Sequence, residues 1–364
     1  MNLGGPAILL ANLLEGDRES SIRHFLISGT VEKNEIDYLG LTGRIPERYI
    51  YIDSLRRSLN PKHEFLAFLE IRKALKRLNP SIIHTHTSKA GLLGRLAAAT
   101  LPKRPKIVHT FHGHILYGYF SKPSTAFFTR VERFLTRITD VLIAINDSVK
   151  RDLISAGVGV KSEWRTIPIG VKIPLDFKVR SLTELSRESE IRLIWVGRFS
   201  PIKNPILALK AFQAAKNAGH RVSLTMVGDG EEMNACRKFA DEFNLPVDFQ
   251  GWQKDTEIYY KSSDLFLLTS FNEGQGMVIL EAAVHGVPTL SMRVGGVSDF
   301  IENENTGYLS LPDESEYLKT FLEVLNAAKN IRLIGKNAQD LVRSKYSAEF
   351  VAQSHAELYT EMVK

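Results

Sequence analysis

Cysteine is nearly absent from this chain of 364 residues. Its one thiol, Cys236, leaves no intrachain disulfide to form, and we expect the reducing interior of a cytoplasm. No apolar run approaches the roughly 18 residues that cross a bilayer. The opening "MNLGGPAILL" has no basic segment leading into an apolar one, so we expect no secretory leader. Several chemical signatures are missing as well. There is no G-x-x-x-x-G-K-[ST], no strand followed by G-x-G-x-x-G and a helix, no D-x-D and no Cys/His set at zinc spacing. "HTHT" and "HTFHGH" are dense in histidine, but His84, His86 and His109 are expected to alternate along strands, against a compact metal site. We therefore expect chemistry from ordinary polar groups, with no metal and no cofactor.

What is present is a globular composition, 44% hydrophobic and 24% charged, long enough for two domains. Charge is divided unevenly. Residues 1–170 hold 25 Lys and Arg against 15 Asp and Glu, a net +10, while the remainder holds 22 against 26, a net −4. Such asymmetry points the first half at an anionic partner, or is simply a solvated basic face. The cations are scattered and no nucleic-acid-binding motif appears, so a nucleic-acid partner is disfavoured and an anionic membrane surface is kept.

Short β-rich runs alternate with amphipathic helical stretches. "HFLISG", "YIYID", "SIIHTHT", "KIVHTFH" and "DVLIAIN" read as strands, with helical periodicity in "EFLAFLEIRKALKRLN", "KAGLLGRLAAATL" and "STAFFTRVERFLTRIT" between them. The segment "RTIPIGVKIPLDF" brings prolines and a glycine together as a linker does. The alternation then restarts with "IRLIWVG", "VSLTMVG", "PVDFQG", "LFLLTS" and "PTLSM". Repeated strand–helix units give parallel sheets covered on both faces. The fold class is α/β: two doubly wound, Rossmann-like domains with a cleft between them, spanning 1–170 and 171–345, followed by a C-terminal segment 346–364. In such a domain the first glycine-rich loop follows a first strand. Here "NLGGPA" comes with no strand ahead of it, so that strand is either absent or encoded upstream of Met1, and we expect the latter.

Ligands in these folds bind at the carboxyl ends of strands. "WVGRFSPIKN" leaves its strand at Gly197 and presents Arg198, with Lys203 five residues later. The two cations suit a diphosphate, and equally describe exposed loop residues. "VGDGEE" offers Gly228 and Gly230, either for close approach of a nucleotide or for a tight turn. "SFNEGQGMVILEAAVHGVP" places Glu273 in a loop and Glu281 about one turn into a helix that starts near Gly276 or Met277. The free N–H groups of that helix start suit an anion, and Glu281 suits the vicinal hydroxyls of a ribose. In the first half His112 follows the "KIVHTF" strand, where it either meets a substrate hydroxyl or is a satisfied structural histidine. Gly4 and Gly5 could bring backbone amides to the same diphosphate. Phosphate, backbone and polyol partners at successive strand ends describe a sugar-nucleotide site.

"NLGGPA", "HTFHG", "IPIGV", "VGRFSPIKN", "VGDGEE" and the E-x7-E segment with its trailing "GVPTLSMRVGGVSDFIENENTGYL" resemble, in this order, the retaining glycosyltransferases of family 4, also called group 1, which have the GT-B fold. The resemblance covers nearly the whole chain. It implies that Arg198 and Lys203 hold the donor diphosphate, that Glu273 contacts the transferred sugar and that Glu281 contacts the ribose. It also implies that the backbone of Gly274, Gln275, Gly276, Met277 and Val278 supports the diphosphate or sugar. His112 would sit near the reacting sugar, Gly4 and Gly5 would line the donor, and the C-terminal helix would pack back towards the first domain. Gln275 stands where relatives often carry an aromatic or small residue, which leaves the donor sugar open. The implied activity is metal-independent transfer, with retention, from a nucleotide-diphosphate sugar, UDP favoured, to a glycan or lipid-linked acceptor in surface polysaccharide assembly. The protein would work in the cytoplasm, at the inner face of the membrane. A sugar-nucleotide epimerase of similar architecture and a non-catalytic sugar-nucleotide-binding protein are the alternatives.

Overall fold

The computed structural model describes residues 5–15, 22–31, 37–43, 46–58, 60–113, 122–174 and 189–364. The chain divides into one unit of Met1–Lys172 with Ala348–Lys364 and a second of Ile173–Ser347.

The first unit runs α1 (Gly5–Glu15), β1 (Leu26–Gly29), α2 (Tyr38–Thr42), β2 (Tyr49–Ile52), α3 (Pro61–Leu78), β3 (Ile82–His86), α4 (Ser88–Ala99), β4 (Lys106–Phe111), α5 (Lys122–Leu135), β5 (Val141–Ala144), α6 (Asp147–Ser155) and β6 (Glu163–Thr166). Every strand pair is parallel. Strands β3, β4, β5 and β6 pair in chain order, and β1 pairs with β2 in a separate sheet. Among the described residues no strand precedes α1 and none joins β1 to β3. Both sheets nevertheless share one apolar cluster. Ile27 of β1 and Ile52 of β2 pack with Ile107 of β4 around Ala67, Ile71 and Leu75 of α3 and Ala97 of α4.

Local chemistry sets the ends of α3. The Asn60 side chain accepts from the amides of Lys62 and His63, Pro61 takes the first helical position, and Asn79 at φ 44° closes the last turn. Strand β6 is the element that periodicity missed. Its four residues "EWRT" are exposed or half-buried in an edge position, so they carry no apolar alternation. The buried pair of Arg95 on α4 and Glu132 on α5 is bidentate, with Nη2 at 2.9 and 2.7 Å from the two carboxylate oxygens.

The second unit runs β7 (Ile191–Val196), α7 (Pro205–Asn217), β8 (Val222–Val227), α8 (Met233–Glu242), β9 (Val247–Gly251), α9 (Glu257–Lys261), β10 (Leu265–Leu268), α10 (Met277–Val284), β11 (Thr289–Met292), β12 (Gly307–Ser310), α11 (Glu314–Asn326) and α12 (Ile331–Lys345). Its six-stranded sheet is all parallel, in the order β12-β11-β10-β7-β8-β9. The chain builds outward from β7 in one direction, then returns to lay β10 on β7's other side and builds the opposite way. That reversal creates a switch point between β7 and β10, where the following loops diverge and leave a crevice at the strands' carboxyl ends. The core beneath is aromatic, with Trp195, Phe199, Phe212, Tyr317 and Phe321 all buried.

The last helix, α13 (Ala348–Val363), belongs to the first unit. It lies against α1, and the Ala348 amide donates to the Val171 carbonyl at 2.9 Å.

Candidate functional site

The switch point gathers the polar residues of the second unit. After β7 the chain passes Gly197 and Arg198, makes one turn of 3-10 helix over Pro201–Lys203 and enters α7 through Asn204 at φ 46°. After β10 it runs through Ser270 and Glu273 to the start of α10. Two contacts lash these segments together. The Thr269 hydroxyl donates to the Lys203 carbonyl at 2.9 Å while accepting from the Trp195 indole N–H at 2.9 Å. The Phe271 amide donates to the Ile202 carbonyl at 2.9 Å. Neither segment can shift without breaking one of these hydrogen bonds, so the turn that carries Lys203 is held relative to Glu273.

Lys203 and Glu273 then meet directly, with Nζ 2.5 Å from Oε1. The same oxygen accepts from the Ser270 hydroxyl at 2.7 Å. The carboxylate is 7% exposed and the ammonium 28% exposed, so the pair is shielded on the protein side and open on the lysine side. An ammonium has three N–H donors and Glu273 takes one, which leaves two for an anion. The second carboxylate oxygen faces Gly276, where a Cβ would stand 3.9 Å away. Gly276 is the N-cap of α10 at φ 71° and supplies no side chain to cap Met277 or Val278. The result is an ordered set of one cation, one carboxylate and a helix start with open amides.

The remaining residues singled out from sequence fall as follows. Arg198 is 73% exposed and turns to Glu231, with Nε and Nη2 at 3.3 and 3.2 Å from Oε2. A pair this exposed holds weakly and is open to exchange for another anion. Gly228 sits at φ 133°, and a Cβ there would lie 1.9 Å from the Gly197 carbonyl oxygen. Gly230, at φ 154°, would bring a Cβ to 2.4 Å from the Phe199 carbonyl oxygen. Glycine is required at both because the loop after β8 presses against the loop after β7, a demand visible without any ligand. Gln275 is buried, and Gly274 stands beside it in the same loop. Glu281 is half-buried, and its Oε2 is 3.4 Å from the Tyr260 hydroxyl. Burial raises the Glu281 carboxyl above its usual range, and burial together with that carboxylate raises the Tyr260 phenol.

In the first unit, Gly5 is the first residue of α1, and Gly4 lies outside the described residues. His112 follows β4, and its Nε2 is 2.8 Å from His86 Nδ1. The expectation that the strand histidines alternate is corrected here. His84 and His86 are two residues apart and share one face of β3, with ring centroids 4.2 Å apart, because side chains repeat every second residue along a strand. His355 of α13 stacks on His84 at 5.7 Å, and the Tyr359 hydroxyl lies 2.6 Å from His84 Nδ1. Only His109 faces the other way, its Nδ1 on the Thr85 hydroxyl at 2.9 Å. Burial lowers the affinity of these rings for a proton: His112 falls to about 3, with His355 adding, and His355 falls to about 4. Neutral rings can still relay hydrogen bonds, and the His112 Nδ1 is buried with no partner among the described residues. No group of three or more His, Cys, Asp or Glu side chains among the described residues is placed to hold a metal ion.

Four contributors were assigned no role in the sequence reading. Thr269 and Trp195 read as ordinary strand residues. Gly295 and Gly296 follow β11 as another glycine-rich strand end, the signal that was used at 197 and at 228–230. The Gly296 amide donates to the Glu273 carbonyl at 2.9 Å, so these glycines form the floor under the Glu273 loop.

A doubly wound parallel sheet with cation, carboxylate and helix start at its switch point, joined in one chain to a second parallel α/β unit, defines the GT-B class of fold. Comparison with known proteins agrees. Residues 182–349 match the family model for glycosyl transferases group 1, and residues 3–173 match that for glycosyltransferase family 4. The chain belongs to the group 1 glycosyltransferases of family 4. It is 28% identical to an Escherichia coli galactosyltransferase named for UDP-Gal and GlcNAc-diphosphoundecaprenol, over 87% of this chain and 84% of that one. It is 30% identical to the alpha-monoglucosyldiacylglycerol synthase of Streptococcus pneumoniae, over 74% of this chain and 67% of that one. Among solved structures, the Anabaena protein HepE in complex with UDP superposes with a TM-score of 0.79 at 19% identity, covering 98% of this chain and 96% of that one.

Proposed function

We propose that this glycosyltransferase moves a sugar from a UDP-sugar to a lipid-linked glycan acceptor, with retention at the anomeric carbon and without a metal, in the assembly of a surface polysaccharide. The observation that carries the reading is the Lys203–Glu273 pair at the switch point of the second sheet. Lys203, with Arg198 released from Glu231, binds the donor diphosphate. Negative charge builds on the departing phosphate as the glycosidic bond breaks, and a fixed ammonium aimed there lowers the barrier. Glu273 keeps Lys203 oriented through one oxygen and offers the other to a hydroxyl of the transferred sugar. The amides at the start of α10 add to the anion site. Glu281 accepts from the ribose hydroxyls, and His112 meets the reacting sugar. The names of the Escherichia coli and Streptococcus pneumoniae relatives favour lipid-linked or lipid acceptors, and the UDP complex of the Anabaena protein favours UDP. The lack of D-x-D in the sequence favours metal independence.

The test is a screen of nucleotide sugars against polyprenyl-diphosphate-linked acceptors, read by mass spectrometry, with the anomeric configuration of the product read by NMR. Transfer from a UDP-sugar that is insensitive to EDTA and yields the donor's own configuration supports the reading. Loss of one oriented cation or carboxylate costs roughly 10²–10³ in kcat in comparable sites, so Lys203→Ala and Glu273→Ala should each fall in that range. An epimerised donor with no acceptor product, or an inverted linkage, would refute it.

A further inference from the structure

Lysine is a poor residue for holding a charge still. Its ammonium rides on a flexible four-carbon stem and lacks the planar fork that gives a guanidinium its direction. Lys203 is nevertheless held at both ends, and the two residues that hold it are neighbours in sequence. Strands β7 and β10 pair Leu193 with Leu265 and Ile194 with Phe266. Beyond those pairs the strand ends are joined through side chains, and donor and acceptor chemistry fixes every direction there. An indole N–H only donates and a carbonyl only accepts. The fully buried Thr269 hydroxyl therefore accepts from Trp195 and donates to the Lys203 carbonyl, each at 2.9 Å. The preceding carbonyl of the same turn, that of Ile202, accepts from the Phe271 amide at 2.9 Å.

Ser270 serves the side-chain end. An ammonium only donates and a carboxylate only accepts, so Glu273 Oε1 receives Lys203 Nζ at 2.5 Å and the Ser270 hydroxyl at 2.7 Å. Ser270 is buried as well. Two buried hydroxyls add little to stability, because apolar groups of the same shape can fill such space at nearly the same free energy. What the hydroxyls add is direction. The contacts close a circuit that runs from Thr269 through the Lys203 backbone and side chain to Glu273, then through Ser270 back to Thr269.

We infer that Thr269 and Ser270 are positioning residues for the transfer reaction, the first fixing the backbone of Lys203 and the second fixing the carboxylate that its ammonium meets. Both act through Lys203 rather than on the donor itself. Held at both ends, Lys203 keeps its remaining N–H donors aimed at one place, where the phosphate of the leaving nucleotide gathers charge. A cation fixed in that way favours the transition state and free UDP, which carry the charge, over the intact sugar nucleotide, which has less of it. This deepens the proposed function, on which it rests for the role of Lys203 but not for the geometry.

The experiment compares the full wild-type chain with Thr269→Val, Thr269→Ser and Ser270→Ala, by steady-state transfer and by calorimetric titration with UDP alone. Each variant is first checked for the wild-type circular dichroism spectrum, and Ser270→Ala decides the matter if Thr269→Val does not fold. Thr269→Val keeps the size of the side chain but leaves the indole N–H and the Lys203 carbonyl unpaired. It and Ser270→Ala should each lose about tenfold or more in kcat and in UDP affinity, with KM for the donor moving less than about threefold. Thr269→Ser keeps the hydroxyl and should recover most of both losses. On a Lys203→Ala background, Thr269→Val should add less than about twofold. Both variants within about twofold of wild type in kcat and UDP affinity would overturn the proposal, as would full additivity with Lys203→Ala. So would a Thr269→Ser protein as poor as Thr269→Val. Wild-type protein that binds UDP but transfers nothing would sink the transferase reading alone, since UDP affinity across the same variants still decides the positioning. Wild-type protein that does not bind UDP would overturn both.

Discussion

Replacing Gly295 with alanine places one methyl group where the structure has no room for it. Gly295 sits at φ 52°, and its Cβ would lie 2.0 Å from the Glu273 carbonyl oxygen and 2.8 Å from Asn272 Oδ1. Both the conformation and the space are adverse. The left-handed backbone alone costs a non-glycine residue about 1–2 kcal/mol. The nearest atom is backbone, so relief requires moving the Glu273 loop by about 1 Å to restore an ordinary contact. That loop also takes the Gly296 amide on the same carbonyl, and its side chain holds Lys203 and Ser270. A 1 Å displacement of a positioning group costs up to about 10²-fold in rate. Gly295→Ala should therefore lose roughly 10²-fold in kcat with a modest drop in stability. The assay is steady-state transfer together with a thermal melt, repeated in the Glu273→Ala background. Because Gly295 acts through Glu273, the double variant should be little worse than Glu273→Ala alone. A single variant within twofold of wild type would refute the argument, and so would full additivity in the cycle.

Two further outcomes follow from buried charge. Glu132→Ala leaves the guanidinium of Arg95 buried without its partner and should destabilise the fold by about 3–5 kcal/mol, whereas Arg95→Met with Glu132→Leu should come close to neutral; urea unfolding decides between them. His112 and His355 have folded-state proton affinities lowered to about 3 and about 4, against 6.5 when unfolded. The unfolded chain therefore binds more protons below about pH 6.5. Stability should be intact above that value and fall with acid towards pH 4, by up to about 1.4 kcal/mol per pH unit for each ring. A urea midpoint unchanged between pH 7 and pH 4.5 would contradict the buried, neutral assignment.

Most of the fold was legible because it rests on local patterns. The runs that become β5 and β10 are continuous apolar strands, those that become β3, β4, β7 and β8 are short β-rich runs, and the run that becomes α3 carries helical periodicity. Elements without such a signal were not legible. Edge strand β6 has no buried face to alternate, and α2 has only five residues. Lys203, Glu273 and the start of α10 were found because charged and glycine residues at strand ends are unusual in themselves. Thr269 and Trp195 were not found, since a threonine and a tryptophan in strands need no explanation until their partners are known.

The sequence by itself determined where most of the strands and helices run, that they alternate, and which strand ends carry charge or glycine. These follow from periodicity and residue chemistry, which act over a few positions. Only the tertiary structure decided that β10 returns to the free side of β7, which places Lys203 and Glu273, 70 residues apart in sequence, in contact. It alone decided that Gly228 and Gly230 make room for a neighbouring loop, that Gly295 underlies Glu273, and that α13 sets His355 against His84. Strand order and loop contact depend on which apolar faces cover one another across the whole unit, and no local stretch of sequence encodes that choice.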